Sequence, residues 1–215
     1  MDQVETFPAL TEIAAVRHGF VGRIPGLDVR MEREAALFRL EKTHAAVRAL
    51  NGLASRVFIT ANQVHGCEVV TVHARSTVPV VGADGLITND PRVCLGVHVA
   101  DCGPVFLVDP RRHVIALLHS GRRSTELGIT TVAIAEMRRV FGCEPPDLVV
   151  QLGPCIRPPL YETDFAAAIL AQARAAGARA VHDCGTCTGA NVDRYYSYRV
   201  ERGKTGRLLA FLALA

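Results

Sequence analysis

Between Ala83 and Leu118 the chain carries four apolar runs in close succession, Ala83 to Thr88, Val93 to Val99, Val105 to Val108 and His113 to Leu118, each separated by Asp, Pro, Gly or Arg. Short β-branched runs bounded by turn formers are the signature of strands, so this region is predicted to form closely spaced strands of a central sheet. Further strands are predicted at Glu12 to Val21, closing at Gly22, and at Val57 to Thr60, Glu68 to Val72, Leu148 to Leu152 and Leu208 to Leu214. Ala35, Leu37, Leu40, Val47 and Leu50 recur at roughly helical spacing, predicting a helix over Met31 to Leu53 with Asn51-Gly52 as its stop. Ser124 is expected to cap a helix running through Glu126 and Val140 to Gly142, and Glu162 to Ala176 reads as an Ala-rich helix stopped by Gly177. The two element types mix without a regular βαβ rhythm, which predicts an α+β fold with mixed sheets covered by helices rather than a doubly wound one.

A chain of 215 residues can bury a substantial core without disulfides, and one domain, 1–215, is expected. With 49% hydrophobic and 21% charged residues, it matches neither a disordered nor a fibrous class. Net charge is only +3 and no run of five like charges occurs, so the electrostatic footprint of a nucleic-acid binder is missing. No stretch of 18 apolar residues suggests a membrane span, and Met1 to Leu10 lacks the basic flank and apolar run of a secretory signal. Seven cysteines, an odd number without short-spaced framework, suit reduced thiols, and the cytoplasm is the expected compartment. The residues carry no signature of a particular oligomeric state.

Three segments place a metal-type ligand at a predicted strand end beside glycine: Gln63-Val64-His65-Gly66, Ala100-Asp101-Cys102-Gly103-Pro104 and Leu118-His119-Ser120-Gly121. Glycine lets the backbone turn sharply and approach a bound ion closely. Two imidazoles and a thiolate form a typical catalytic zinc set with a fourth position left for water or substrate. On spacing alone the alternative stands, that His65 and His119 are loop histidines and Cys102 a packed thiol. Asp101 could carry a proton or cap a turn. His98 shares the strand parity of Cys102 but reads as a core or surface histidine, and Cys184-x-x-Cys187 reads as structural.

The segments NQVHG, ADCGPV, HSGRRST and GPCI, with Cys187-Thr188, YYSYR and KTGR following, resemble in order and over most of the chain the polyphenol oxidase or laccase-domain family, whose members are regarded as multifunctional purine nucleoside enzymes. The resemblance implies a four-layer α/β/β/α arrangement and zinc held by His65, Cys102 and His119. It also implies phosphorolysis of a purine nucleoside (inosine, adenosine, guanosine or methylthioadenosine) with phosphate, and adenosine deamination at the same metal. His18 to Arg23 is similar to the family's HGFSTR segment, which makes Arg23 the leading phosphate ligand and Arg123, in the turn before the predicted helix, the second.

The sequence departs from the family pattern at several points. HAGWRG is HSGRRS here, placing Arg122 for an aromatic residue and Ser124 for a glycine, Arg157 replaces the second glycine of GPxIG, and the loop after Arg23 lacks the Gly-Gly and SLNLG segment. The three ligands remain, so zinc binding is expected to survive, while the added positive charge and bulk near the pocket are expected to alter or abolish nucleoside binding. Three other readings compete: copper-dependent phenol oxidation, a catalytically degenerate zinc-binding protein, and a metal-free cysteine hydrolase built on Cys102.

Overall fold

Four strands of seven residues carry the centre of the molecule, and their sequence explains why: VCLGVHV, GPVFLVD, VIALLHS and LLAFLAL have almost no polar alternation, so both of their faces must be covered. The computed structural model describes residues 4–215. The chain runs through β1 (Val4–Glu5), α1 (Pro8–Thr11), β2 (Val16–Val21), α2 (Arg33–Leu50), β3 (Val57–Ile59), β4 (Ala61–Asn62), β5 (Val69–Thr71), β6 (Val80–Val81) and β7 (Gly85–Thr88). It continues through β8 (Val93–Val99), β9 (Gly103–Asp109), β10 (Val114–Ser120), α3 (Arg122–Glu126), α4 (Ile129–Phe141), β11 (Val149–Leu152), α5 (Phe165–Ala175), β12 (Ala180–Asp183) and β13 (Leu208–Leu214).

The strands form a five-stranded sheet in the order β1-β2-β13-β8-β3, a six-stranded sheet in the order β12-β11-β9-β10-β7-β5, and a small pair, β4-β6. Both large sheets are mixed: β3 joins β8 in parallel while β13 joins it antiparallel, and β5 joins β7 in parallel while β10 joins it antiparallel. Strand parity then divides the core in two. Phe106 and Val108 of β9 and Ile115 and Leu117 of β10 pack between the sheets with Phe20, Leu95 and Val97. The alternating residues Val105, Leu107, Val114, Ala116 and Leu118 point the other way, onto Ile129, Ala133 and Met137 of α4 and Ile169 of α5. Burying each of these large apolar side chains is worth roughly 1.5–3 kcal/mol. With α2 laid over the five-stranded sheet, His44 against His98 and Arg48 over Phe58, the arrangement is the expected four layers, α/β/β/α.

Three local expectations are corrected. The strand expected over Glu12 to Val21 begins only at Val16, because Pro8 starts a one-turn helix that ends at Thr11 and is capped at Glu12, and the chain turns again before Val16. The buried stripe of α2 is Ala36, Leu40, His44 and Arg48, whereas Leu50 is 76% exposed; the amphipathic His and Arg supply apolar stems where the sequence pattern points to leucine and valine. Ser124 caps nothing: it lies buried inside α3, whose N-cap is Gly121, and the helix expected after it is split because Gly128, at φ +81°, adopts the left-handed conformation that ends one helix before α4 begins. The stops at Gly142 and at Gly177 fall where expected. None of the described helices is long and apolar enough to cross a membrane.

Candidate metal centre

Register brings the three expected ligands together. In the β9–β10 ladder Ser120 faces Gly103 and His119 faces Pro104, so continuing one step sets Cys102 beside Gly121. In the β7–β10 ladder Leu118 faces Gly85, which leaves His119 next to Asp84, and its N–H donates to the Asp84 carbonyl at 2.7 Å. His65 arrives from the turn after β4, and its ring stands 4.7 Å from that of His119, centroid to centroid, at 75°. One ligand atom from each of His65, Cys102 and His119 lies within 4.8 Å of the others. Tetrahedral zinc, with bonds of about 2.3 Å to sulfur and 2.0–2.1 Å to nitrogen, sets ligand atoms about 3.3–3.6 Å apart, so a small inward adjustment suffices.

Asp84 organises the centre, and nothing in the sequence singled it out beyond an acidic residue at the head of a strand buried throughout. It is 1% exposed. One carboxylate oxygen accepts from Val64 N at 3.1 Å and Gly66 N at 2.7 Å; the other accepts from His65 N at 3.0 Å and meets His119 Nδ1 at 2.7 Å. The carboxylate thus shapes the turn that carries one imidazole and fixes the ring of the other, leaving His119 Nε2 to face the centre, an outer partner of the kind that orients metal-bound histidines. Burial raises the Asp84 pKa, but the hydrogen bonds from His119 and Gly66 outweigh it and the net shift is downward. His65 itself sits at φ +58°, a region that His, Asn and Asp enter more readily than other non-glycine residues.

The donor set and the space around it fit a thiolate-binding divalent ion. A Cβ at Gly121 would lie 2.6 Å from Cys102 Sγ and 3.7 Å from His65 Cδ2, so only glycine leaves the sulfur its place. Burial disfavours the Cys102 thiolate, yet the charge and hydrogen bond of His119, then those of His65, pull its pKa down to about 6. Burial likewise works against the His119 imidazolium, and Cys102 followed by Asp84 raise it to about 9. In the metal-free protein the two groups therefore stabilise the fold over a shared interval. The His119 contribution is complete below its ordinary 6.5 and is lost as pH rises through about 9; that of Cys102 is complete above its ordinary 9.0 and is lost as pH falls through about 6. Thermal melts of chelator-treated protein across pH 5 to 10 should peak between those limits, and a Cys102→Ala variant should lose the acid-side fall from this pair.

Asp101 precedes the thiolate at φ +84° and is 6% exposed. Its carboxylate accepts from Thr188 Oγ1 at 2.7 Å, Ser197 Oγ at 3.0 Å and Arg199 N at 2.7 Å, and its carbonyl accepts from Ile156 N at 2.8 Å. It pins the loop between β8 and β9 to the C-terminal segment. Thr188 belongs to the motif after Cys187, and Ser197 to YYSYR, so these motifs meet at one carboxylate.

A cleft of about 1040 Å³ opens over the centre, with His65, Cys102 and His119 in its wall. Arg123 lines it, as do Arg122, Tyr161 and Phe165; His98 also reaches it, though burial and then the charges of His44 and nearby arginines hold its pKa well below the usual imidazole range. Arg23, expected as the leading phosphate ligand, is not among the residues lining it. Its Nη2 lies 2.7 Å from Glu201 Oε2 and donates to the Tyr195 carbonyl at 3.1 Å, and its guanidinium stacks 4.4 Å from the Tyr196 ring centroid. A nearby carboxylate already satisfies that charge. Of the three substitutions within the family motifs only Arg122 lines the cleft: Ser124 is buried, and Arg157 is paired with Asp183 and donates to the Thr186 carbonyl at 3.3 Å. The backbones of Cys155 and Cys187, the latter beginning the C-terminal motif, pair in an isolated parallel β-bridge, and both thiols are free.

Residues 26–168 and 161–215 match the family model described as multi-copper polyphenol oxidoreductase laccase. The chain is 33% identical over 142 residues to a purine nucleoside phosphorylase of Mycobacterium tuberculosis, a match covering 66% of this chain and 56% of that protein. It therefore spans little more than half the length of the mycobacterial relatives it matches. A purine nucleoside phosphorylase of Streptomyces coelicolor is 30% identical over 223 residues, covering 91% of this chain and 86% of the relative. Among solved structures, YlmD from Geobacillus stearothermophilus superimposes with a TM-score of 0.86 at 22% identity, covering 100% of this chain and 99% of that one.

Proposed function

Because the chain belongs to the multi-copper polyphenol oxidoreductase laccase family, among whose members are relatives named purine nucleoside phosphorylase, we propose that it is a zinc-dependent phosphorylase of purine nucleosides. Inosine, adenosine, guanosine or methylthioadenosine would react with phosphate to give the free base and the sugar 1-phosphate. The observation that carries this reading is the convergence of His65, Cys102 and His119 in the wall of a cleft rather than in a closed core, with three protein ligands and no fourth among the described residues. Zinc held there by Cys102 Sγ, His119 Nε2 and the His65 ring would supply a Lewis acid that polarises a bound oxygen and lowers the pKa of water toward neutrality.

The chain's own residues supply the rest. Arg123 in the cleft would orient phosphate through paired N–H···O bonds. Tyr161 and Phe165, edge to face with centroids 5.7 Å apart, offer apolar surface to the base. In the reaction a phosphate oxygen bonds to C1′ as the C1′–N9 bond breaks, the electron pair goes to the purine, and the purine takes up one proton. Asp101, whose carboxylate is occupied by three donors, is assigned to positioning the Cys102 turn rather than to that proton transfer. The same centre would serve hydrolytic deamination of adenosine, water adding at C6 and ammonia leaving.

The family's description favours a second reading, copper-dependent phenol oxidation, and His₂Cys sets do suit copper. The described residues, however, assemble one such group and not the several ligand clusters of a multicopper centre. Incubating zinc-loaded protein with adenosine and phosphate should yield adenine, hypoxanthine or inosine by chromatography. A yield no greater than that of a His119→Ala variant, or phenol oxidation only with copper, would overturn the proposal.

A further inference from the structure

The charges lining the cleft are unequally matched. Arg122 donates to Glu126 at 2.9 Å and Arg199 is paired with Glu162, whereas Arg33, Arg123, Arg202 and Arg207 have no ion-pair partner among the described residues. Arg33 and Arg207 differ from the other two in being withdrawn from solvent. Arg207 is only 9% exposed, and it spends Nη1 on the Thr205 and Gly206 carbonyls at 2.9 Å each. In the β13–β8 ladder Leu208 faces Val99, so Arg207 falls beside Ala100, two residues before Cys102. Arg33 is half-buried and begins α2, where the positive end of the helix dipole already disfavours a cation.

The two guanidiniums feel each other. Burial, and after it the charge of Arg33, lowers the Arg207 pKa, and both arginines contribute to holding the neighbouring His98 neutral. The charges of Cys102 and Asp101 work the other way on Arg207, but the Asp101 carboxylate is bonded to Thr188, Ser197 and Arg199, and neither Arg33 nor Arg207 forms an ion pair among the described residues, so like charges gathered here, one of them buried, favour an anion from outside.

We propose that Arg33 and Arg207 form an oxyanion subsite of the cleft, separate from the His65–Cys102–His119 centre, that takes a phosphoryl dianion, either inorganic phosphate or the 5′-phosphate of a nucleotide. Two planar guanidinium forks can present parallel N–H pairs to the oxygens of one phosphoryl group, which neither a lone lysine nor a single arginine achieves. Tyr198, whose ring centroid lies 6.0 Å from Arg207 Cζ, borders the subsite with an aromatic face. The inference rests on the proposed function in expecting a nucleoside nearby, and inorganic phosphate as the occupant would move the holding of the co-substrate from Arg123 to this pair.

Calorimetric titration of the whole protein with inorganic phosphate, adenosine and adenosine 5′-monophosphate tests it. Arg33→Gln, on a half-exposed helix turn, is expected to weaken binding of a phosphoryl probe at least tenfold with zinc content and melting temperature unchanged, and Arg33→Lys to recover part of the loss. A loss for inorganic phosphate identifies the co-substrate as occupant. Tighter binding of the monophosphate than of adenosine, with that gain lost in the variant, identifies a nucleotide. Arg207→Gln should act in the same direction, and Arg33→Gln decides the matter if that buried substitution unfolds the chain. The proposal fails if neither phosphoryl probe binds the unmodified protein, or if both bind Arg33→Gln as tightly. Binding lost in the variant without any turnover would remove the proposed reaction and leave the subsite standing; turnover with unaltered phosphoryl binding would do the reverse.

Discussion

Replacing Asp84 with alanine is expected to lower zinc affinity 10- to 100-fold and to destabilise the metal-free protein by about 3 kcal/mol. Both follow from one buried carboxylate. Removing it strands the N–H groups of Val64, His65 and Gly66 and frees the His119 ring. Stranding a buried donor costs about 1–3 kcal/mol, and the low end applies at this turn because Val64 and His65 are exposed enough for water to replace part of what is lost. Asp84→Asn should fare little better: one of the two oxygens becomes an NH2 group, which then faces N–H donors. Zinc content by elemental analysis and melts recorded with chelator separate the two effects. Full zinc occupancy in Asp84→Ala would show that the imidazoles find their geometry without the carboxylate.

Asp101→Ala is expected to cost about 3–5 kcal/mol, because two hydroxyls and the Arg199 N–H lose a charged acceptor, each such bond being worth about 1.5–3 kcal/mol before partial rescue by water. Alanine must also occupy φ +84°, a left-handed conformation that costs an ordinary residue about 1–2 kcal/mol. The variant distinguishes the two roles open to this residue. As an anchor, Asp101 lowers melting temperature and zinc retention together when removed; as a proton carrier, it would lower kcat while the melting temperature and metal content stay put.

What the sequence disclosed and what it withheld follow a physical division. The strands from Val93 to Ser120 were legible because burial on both faces writes an unbroken apolar run. The ligand turns were legible because Gly66, Gly103 and Gly121 mark places where the chain bends beside a reactive side chain, and at Gly121 a Cβ would meet the sulfur. Asp84 was silent: a buried carboxylate declares itself only through donors that arrive from residues 64–66 and 119, and no local pattern encodes them. The partner of Arg23 was silent for the same reason, since Glu201 lies far along the chain and only the fold brings it to 2.7 Å. Arg207 became visible only through the register of β13 on β8. In α2 the periodic apolar residues misled because His44 and Arg48 take two of the buried positions.

Zinc K-edge X-ray absorption of the zinc-loaded protein measures the centre directly. The expected spectrum fits one sulfur at about 2.3 Å and two imidazole nitrogens at about 2.0–2.1 Å with a further light-atom ligand, and the sulfur shell disappears in Cys102→Ser. A first shell without sulfur, or a sulfur shell that persists in that variant, would contradict the convergence of His65, Cys102 and His119 on one ion.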